Sequence, residues 1–281
     1  MCEEGRAHAS AGAYDAPVAE RTSYERIGAA AVLTIERPER RNAVDRETAD
    51  ELLAGCRRFE ADEQARTMIL TGAGDLAFCA GADLKALAAV GPNPPDDLVA
   101  GYMDRPEGPM GFTRLTPSKP TIAAISGYCL AGGLELALWC DLRIATETAQ
   151  LGYPERRWGV PLVDGGTQRL PRIVGLGRAL DLILTGRIMG VTEAHDWGLV
   201  NEIVPAGKHL ERALEMAEGL AAFPQETMLS DRRAAIVGSA MDLESGLAYE
   251  AEVGSEVIEV AIRGAGRFAG GEGRGGAGSG A

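Results

Sequence analysis

The stretch "KPTIAAISGYCLAGGLELALWCDLRIAT", residues 119–146, decides how this chain folds. Between Thr121 and Cys140 its only charge is Glu135. An apolar run of that length could cross a membrane. Three features argue against it: Pro120 precedes the run, Gly127 interrupts it, and Gly132 and Gly133 split it. "TIAAISG" reads as a buried strand, whereas "LELALWC" suits a buried helix. The unit is therefore strand, Gly-rich turn and helix, with one carboxylate on the helix.

The same unit recurs outward from this stretch. "YERIGAAAVLTIERP" reads as two short strands meeting near Gly28, the second ending at Pro38. Asp45 is an N-cap for a helix with Ala49, Leu52, Leu53, Cys56 and Phe59 on one face. "TMILTGAG" is a buried strand, and "GADLKALAAV" opens a helix after a Gly turn. "GPNPPDD" is a loop, because consecutive prolines forbid regular pairing. A further helix is predicted over 97–115. "DLRIAT" and "AQLG" are short strands, and "GGTQRLPRIVG" starts a helical section. Repeated strand–turn–helix units predict an α/β domain over 21–206.

Residues 1–20, rich in Ala, Gly and acids, read as a disordered extension. After about 205 the pattern becomes helical, predicting a C-terminal oligomerisation lobe over 207–265. Leu210, Leu214, Ala217 and Ala221 form one stripe; Leu243, Leu247, Ala251, Gly254, Ile258 and Ala261 form another. Core packing is the simplest reading of both, with a share of it against another subunit. The Gly-rich segment 266–281 reads as a flexible tail.

Composition removes several function classes. A net charge of −13 argues against a partner bound by phosphate neutralisation, so no nucleic acid is expected. Five cysteines at 2, 56, 79, 129 and 140 form no C-x-x-C pair and read as reduced intracellular thiols. The first twenty residues lack an apolar signal core, so a cytoplasmic location and no membrane association are expected. His8, His195 and His209 have no metal-ligand spacing, no metal site is expected, and no G-x-S-x-G elbow occurs.

Two Gly-rich turns carry the chemistry, "FCAGADLK" (78–85) and "GYCLAGGLELA" (127–137). A helix start exposes backbone N–H groups at the positive end of its dipole. Two such groups converging on one oxygen would make an oxyanion hole. Either turn alone reads as an ordinary strand–helix connection. Glu135, three residues after Gly132 among leucines, changes that balance, because apolar burial raises a carboxyl into the range of proton transfer. A buried ion pair with an arginine is the alternative for Glu135. Glu155 in "LGYPERRWGV" follows a Pro bend that could aim it into the same cavity; alone it would read as a surface acid.

Together these residues resemble the crotonase superfamily, the enoyl-CoA hydratase/isomerase family. The matching segments are "TGAGDLAFCAGADLK" (71–85), residues 119–146, "YPERRWGV…GGTQRLPRIVG" (153–175) and "ILTGRIMGVTEAHDWGLVNEIVP" (183–205). The resemblance spans about residues 22–263. It implies a crotonase-like core of repeated ββα units, a C-terminal helical lobe and homotrimers, often paired into hexamers. It implies an acyl-coenzyme A substrate and no separate cofactor, coenzyme A being part of the substrate. It places the oxyanion-hole N–H groups on Ala82 and Gly132, and the two acid/base carboxylates on Glu135 and Glu155. Retention of both glutamates favours hydration of a 2-enoyl-CoA. Another enolate reaction, such as double-bond isomerisation or C–C bond chemistry, stands as the alternative, and a non-catalytic binding protein as a third. The resemblance further marks Arg41, Ala43, Ala80, Asp83, Leu84, Lys85, Gly133 and Val163 as candidate substrate or CoA contacts, and Phe268 as a reach toward a neighbouring subunit's adenine.

The chain departs from the family after Glu155. Relatives resemble G-x-x-P-G-x-G-G-T-Q-R-L, where this chain has "GVPLVDGGTQRL". Val163 stands where glycine is usual, and Asp164 follows. An Arg156 or Arg157 paired with Glu155 would hold that carboxylate ionised and make it a poor acid.

Overall fold

The structure, a computed structural model, describes residues 20–91 and 104–272. The elements in chain order are β1 (Thr22–Ile27), β2 (Ala30–Ile35), α1 (Arg46–Ala61), β3 (Thr67–Gly72), β4 (Ala77–Cys79) and α2 (Leu84–Ala88). Next come β5 (Thr121–Ile125), β6 (Tyr128–Leu130), α3 (Gly132–Trp139), β7 (Leu142–Thr146) and β8 (Gln150–Gly152). A 3₁₀ turn over Pro154–Trp158 leads to α4 (Gly166–Val174), α5 (Leu176–Thr185), β9 (Ile188–Gly190), α6 (Val191–Asp196) and β10 (Glu202–Val204). Four helices close the chain: α7 (His209–Ala221), α8 (Gln225–Gly238), α9 (Leu243–Ser255) and α10 (Ile258–Ala269).

The strands form two sheets, ordered β1-β2-β3-β5-β7-β10 and β4-β6-β8-β9. Successive strands of each ββ pair enter different sheets: β3, β5 and β7 lie in the first, β4, β6 and β8 in the second. Within each set the neighbours run parallel. That topology brings the ends of β4 and β6 side by side, and with them the two Gly-rich turns that follow. The expected mixed α/β class with a helical C-terminal region is what the chain adopts.

Local physics accounts for the elements. The Asp45 carboxylate accepts the Thr48 N–H at 2.9 Å and caps α1, worth about 1 kcal/mol. Ala49, Leu52, Leu53, Cys56 and Phe59 are buried against the sheet, as the helical spacing predicted. Every residue of α3 is buried, so this helix has no polar face. At its C-terminal end the buried Arg143 donates from Nη1 to Cys140 O at 2.7 Å and Ala137 O at 3.5 Å, while its Nε ties this end to Leu199 O at 2.7 Å.

Three expectations are corrected. Residues 104–115 are turns and bends, not the second half of a helix over 97–115; residues 97–103 lie outside those described. Pro106 and Pro109 interrupt regular hydrogen bonding, and Gly108 and Gly111 take φ of +97° and +109°. Residue 266, where a flexible tail is expected to start, lies inside α10, which continues through Ala269; the extension 1–19 and residues 273–281 lie outside those described. The stripe from Leu243 to Ala261 is not core in this chain. It breaks between α9 and α10, and Leu243, Leu247 and Ile258 are exposed. By contrast α7, assigned above to the lobe, packs on the first sheet, Ala213 and Ala217 meeting Val32, Ile69, Ile122 and Ile144. No helix among the described residues is long and apolar enough to cross a membrane.

Candidate active site

The two Gly-rich turns touch. A methyl group built on Gly81 would stand 2.7 Å from Ala131 Cβ and 3.0 Å from Gly132 N. Gly81, at φ +95°, is therefore required both by its backbone angle and by the approach of the second turn. Around it, Ala80 N–H donates to Arg41 O, and Asp83 N–H to Val44 O at 2.8 Å. Among the described residues, the Ala82 N–H is not drawn into these bonds. The Gly132 N–H opens α3, where no earlier helical carbonyl can accept it. Ala82 and Gly132 line one cavity of about 140 Å³, together with Met110, Glu135, Glu155, Trp158, Val163 and Asp164.

The residue between the strand and α3 is Ala131, at φ +54° and ψ −128°. That conformation is strained for a residue with a Cβ, by about 1–3 kcal/mol. It is held by Ala131 N–H donating to Gly152 O at 2.9 Å and by Leu134 N–H donating to Ala131 O at 3.0 Å. The strain orients the first N–H of α3. Nothing in the alanine's identity announces this, so sequence reasoning missed it.

Glu135 is buried, and only its Oε1 is tied: it accepts Gly166 N–H at 2.7 Å and Asp164 N–H at 3.0 Å. No arginine pairs with it among the described residues, which removes the ion-pair alternative. Burial raises its pKa to about 8; the Gly166 N–H opposes that, and the Asp164 and Glu155 charges add to it. Glu155 sits in the 3₁₀ turn that Pro154 starts, pointing inward as the Pro bend predicted. Both of its carboxylate oxygens are buried without a hydrogen-bond partner. Burial pushes it to about 7. Arg156 turns away, its Nε donating to Ile183 O, and neither Arg156 nor Arg157 forms an ion pair with Glu155. Two carboxyls of raised pKa, facing one small cavity beside two N–H groups, can hold a water and pass its proton.

The remaining candidates divide. Ala80, Leu84 and Val163 line the cavity. Arg41 is exposed, with its guanidinium 5.5 Å from the Tyr128 ring centre, and Lys85 is exposed on α2. Ala43 is buried, and its carbonyl accepts from Arg37 Nη1. The Asp83 carboxylate is occupied within the protein rather than open to a ligand. It caps α2 through Lys85 N–H and Ala86 N–H and pairs with Arg37 at 3.0 Å. Gly133 presses on β4, where a methyl would stand 2.1 Å from Cys79 O, so its role in the fold is close packing. Phe268 is exposed near the end of α10.

The family model described as enoyl-CoA hydratase/isomerase matches residues 25–270. The chain belongs to this family. It is 39% identical over 234 residues to a probable enoyl-CoA hydratase of Rhizobium meliloti, covering 81% of this chain and 88% of that one. It is 36% identical to a short-chain-enoyl-CoA hydratase of Clostridium acetobutylicum, covering 83% and 87%. A crystal structure of enoyl-CoA hydratase from Bacillus anthracis superposes with a TM-score of 0.79 at 36% identity, covering 85% of this chain and 92% of that one.

Within this family frame, Met110 is a further residue that the sequence did not disclose. It lies in the segment misread as helix, and a methyl on Gly132 would stand 2.9 Å from its Sδ. Asp164, noted above only as a departure, is buried at the same place and accepts Met110 N–H at 3.0 Å.

Proposed function

We propose that this enzyme is a 2-enoyl-CoA hydratase, a lyase that adds water across the C2–C3 double bond of the thioester. One observation carries the reading: Glu135 and Glu155, both buried and neither paired with a cation, line one cavity with Ala82 and Gly132. The hydratases to which the chain is 36–39% identical support the same reaction class.

In this mechanism the thioester oxygen accepts the Ala82 and Gly132 N–H groups. A water between the carboxyls attacks C3 and gives a proton to Glu135. Two N–H groups on Oε1 favour the ionised form of Glu135 and leave its other oxygen free for that proton. When the pair holds one proton it rests mainly on Glu135, whose pKa is the higher of the two, and the reactive form is the one in which that proton has moved to Glu155, whose buried oxygens have no hydrogen-bond partner. Charge collects on the thioester oxygen as an enolate, where each N–H contributes about 3 kcal/mol. Glu155 then protonates C2, and exchange with solvent returns the proton from Glu135 to Glu155. The step is redox-neutral, so the reaction calls for no cofactor beyond the coenzyme A of the substrate.

Arg41 and Lys85, exposed beside the turns, are suited to the CoA phosphates, with Ala43, Ala80 and Leu84 along the pantetheine and Val163 near the acyl group. The exposed apolar residues Leu243, Leu247, Ile258, Ile262 and Phe268 fit burial between copies in a homotrimer or a hexamer of paired trimers. Among the described residues the four cysteines are buried and unpaired, which fits a reducing compartment, the cytoplasm. The test is loss of the conjugated-thioester absorbance with crotonyl-CoA and longer 2-enoyl-CoAs. Absence of hydration at every chain length would overturn the assignment.

A further inference from the structure

Asp164 joins three parts of the site through three different atoms. Its N–H donates to Glu135 Oε1 at 3.0 Å. Its carboxylate Oδ1 accepts Met110 N–H at 3.0 Å and the Thr113 hydroxyl. Its carbonyl accepts Arg169 Nη1 at 3.0 Å, and Arg169 Nη2 returns to Thr113 O at 2.6 Å. The loop closes tightly around it: a methyl on Gly108 would stand 3.0 Å from Oδ1. Met110, held at its N–H by this carboxylate, lays its side chain against Gly132.

A buried carboxylate at this depth is unfavourable unless hydrogen-bonded, and two donors satisfy Oδ1 here. A glycine or alanine would allow the same backbone bond to Glu135 without that penalty. The side chain therefore adds something the turn alone does not: it fixes the irregular 108–113 segment to the residue that orients Glu135.

We propose that Asp164 is a positioning residue that sets Glu135 and the Met110 wall of Gly132 as one unit. The inference rests on the hydratase reading for the identity of the reaction. Its charge also reaches Glu135. The groups facing this cluster are Arg169 on α4, Arg114 on the 104–118 segment, Tyr153 beside Glu135, and Glu155 in the shared cavity. Removing the Asp164 charge leaves those cations in place and eases ionisation of Glu135.

The test compares D164N and D164A with the wild-type enzyme across pH. D164N keeps an acceptor for Met110 and Thr113 but loses the charge. Its rate is expected within about tenfold of wild type, with the alkaline limb of kcat/KM moved to lower pH. D164A loses the acceptor as well, and kcat is expected to fall about 100-fold, the scale of a small misplacement of a catalytic group. On an E135Q background, D164A is expected to add little further loss. An unmoved alkaline limb in D164N, or losses that multiply fully with E135Q, would overturn the proposal. If the wild type hydrates no enoyl-CoA but exchanges the C2 hydrogens of an acyl-CoA in D₂O, the hydratase reading alone fails. The same variants then read Asp164 on that exchange rate.

Discussion

Gly166 N–H donates to Glu135 Oε1 at 2.7 Å, and a side chain cannot be placed beside that bond. A methyl on Gly166 would stand 3.0 Å from the same oxygen and 2.6 Å from the Tyr153 hydroxyl. Gly166→Ala should therefore turn the Glu135 carboxylate and also press on the fully buried Tyr153 ring. The expected result is a kcat loss of about 100-fold together with a lower melting temperature, the protein remaining folded at assay temperature. Steady-state kinetics beside a thermal melt checks it; wild-type turnover would mean Gly166 does not orient Glu135.

Much of the fold and of the two-glutamate cavity was legible, and the reason is local. β5, β6 and α3 follow from an apolar stretch punctuated at Gly127 and Gly132. Asp45 announces α1 because capping is a short-range interaction. What was not legible is long-range. The approach of Gly81 to Gly132 depends on β4 and β6 being neighbours, and the strain at Ala131 depends on the Gly152 carbonyl of a third strand. Residues 104–115 do not form the predicted helix because their shape is tied to Asp164, fifty-four residues from Met110. The stripe on α9 and α10 has helical period, but period alone does not say what covers a face.

Two adjacent glycines should respond differently to the same substitution. A methyl on Gly133 meets backbone, 2.1 Å from Cys79 O, which cannot yield without moving β4. A methyl on Gly132 meets the far end of a flexible side chain, Met110 Sδ, at 2.9 Å. Gly133→Ala should lower the urea midpoint strongly, by about 2–4 kcal/mol of stability. Gly132→Ala should cost less stability and act chiefly on kcat, by crowding the cavity at its N–H. The reverse order would show that Met110 is the more rigid neighbour.

Glu135→Gln and Glu155→Gln keep shape and remove proton transfer. Each should lower kcat by about 10²–10⁴-fold, the usual range for a lost acid or base, with CoA affinity little changed. Wild-type-like turnover in either variant would leave the paired-carboxyl mechanism without support.

The same pair predicts a bell-shaped dependence of kcat/KM on pH. Below about 7 both carboxyls carry a proton and no base is present. Above about 8 both are ionised and no acid remains. The maximum is expected between those limbs, where the pair holds one proton. A profile flat from pH 5 to 9 would exclude proton transfer by these groups from the rate-determining step.

Stability should run against activity along the alkaline direction. Glu135 and Glu155 titrate higher in the folded chain than the ordinary carboxyl value of 4.5, so between about 4.5 and 8 the folded state holds more protons than the unfolded one. Stability from these two groups is then complete below about 4.5 and is lost as pH rises through about 7 and 8. Asp83 has the opposite sign. Burial pushes it up, but the Ala86 N–H and Arg37 outweigh that and lower it, so its contribution is lost on acidification below the usual carboxylate range. Glu155→Gln removes a buried acid whose oxygens have no partner, so the variant should unfold at higher urea than wild type at pH 8, with the difference shrinking at pH 5. Equal midpoints for variant and wild type at pH 8 would mean that water satisfies the Glu155 carboxylate in the folded protein and that its burial carries no penalty.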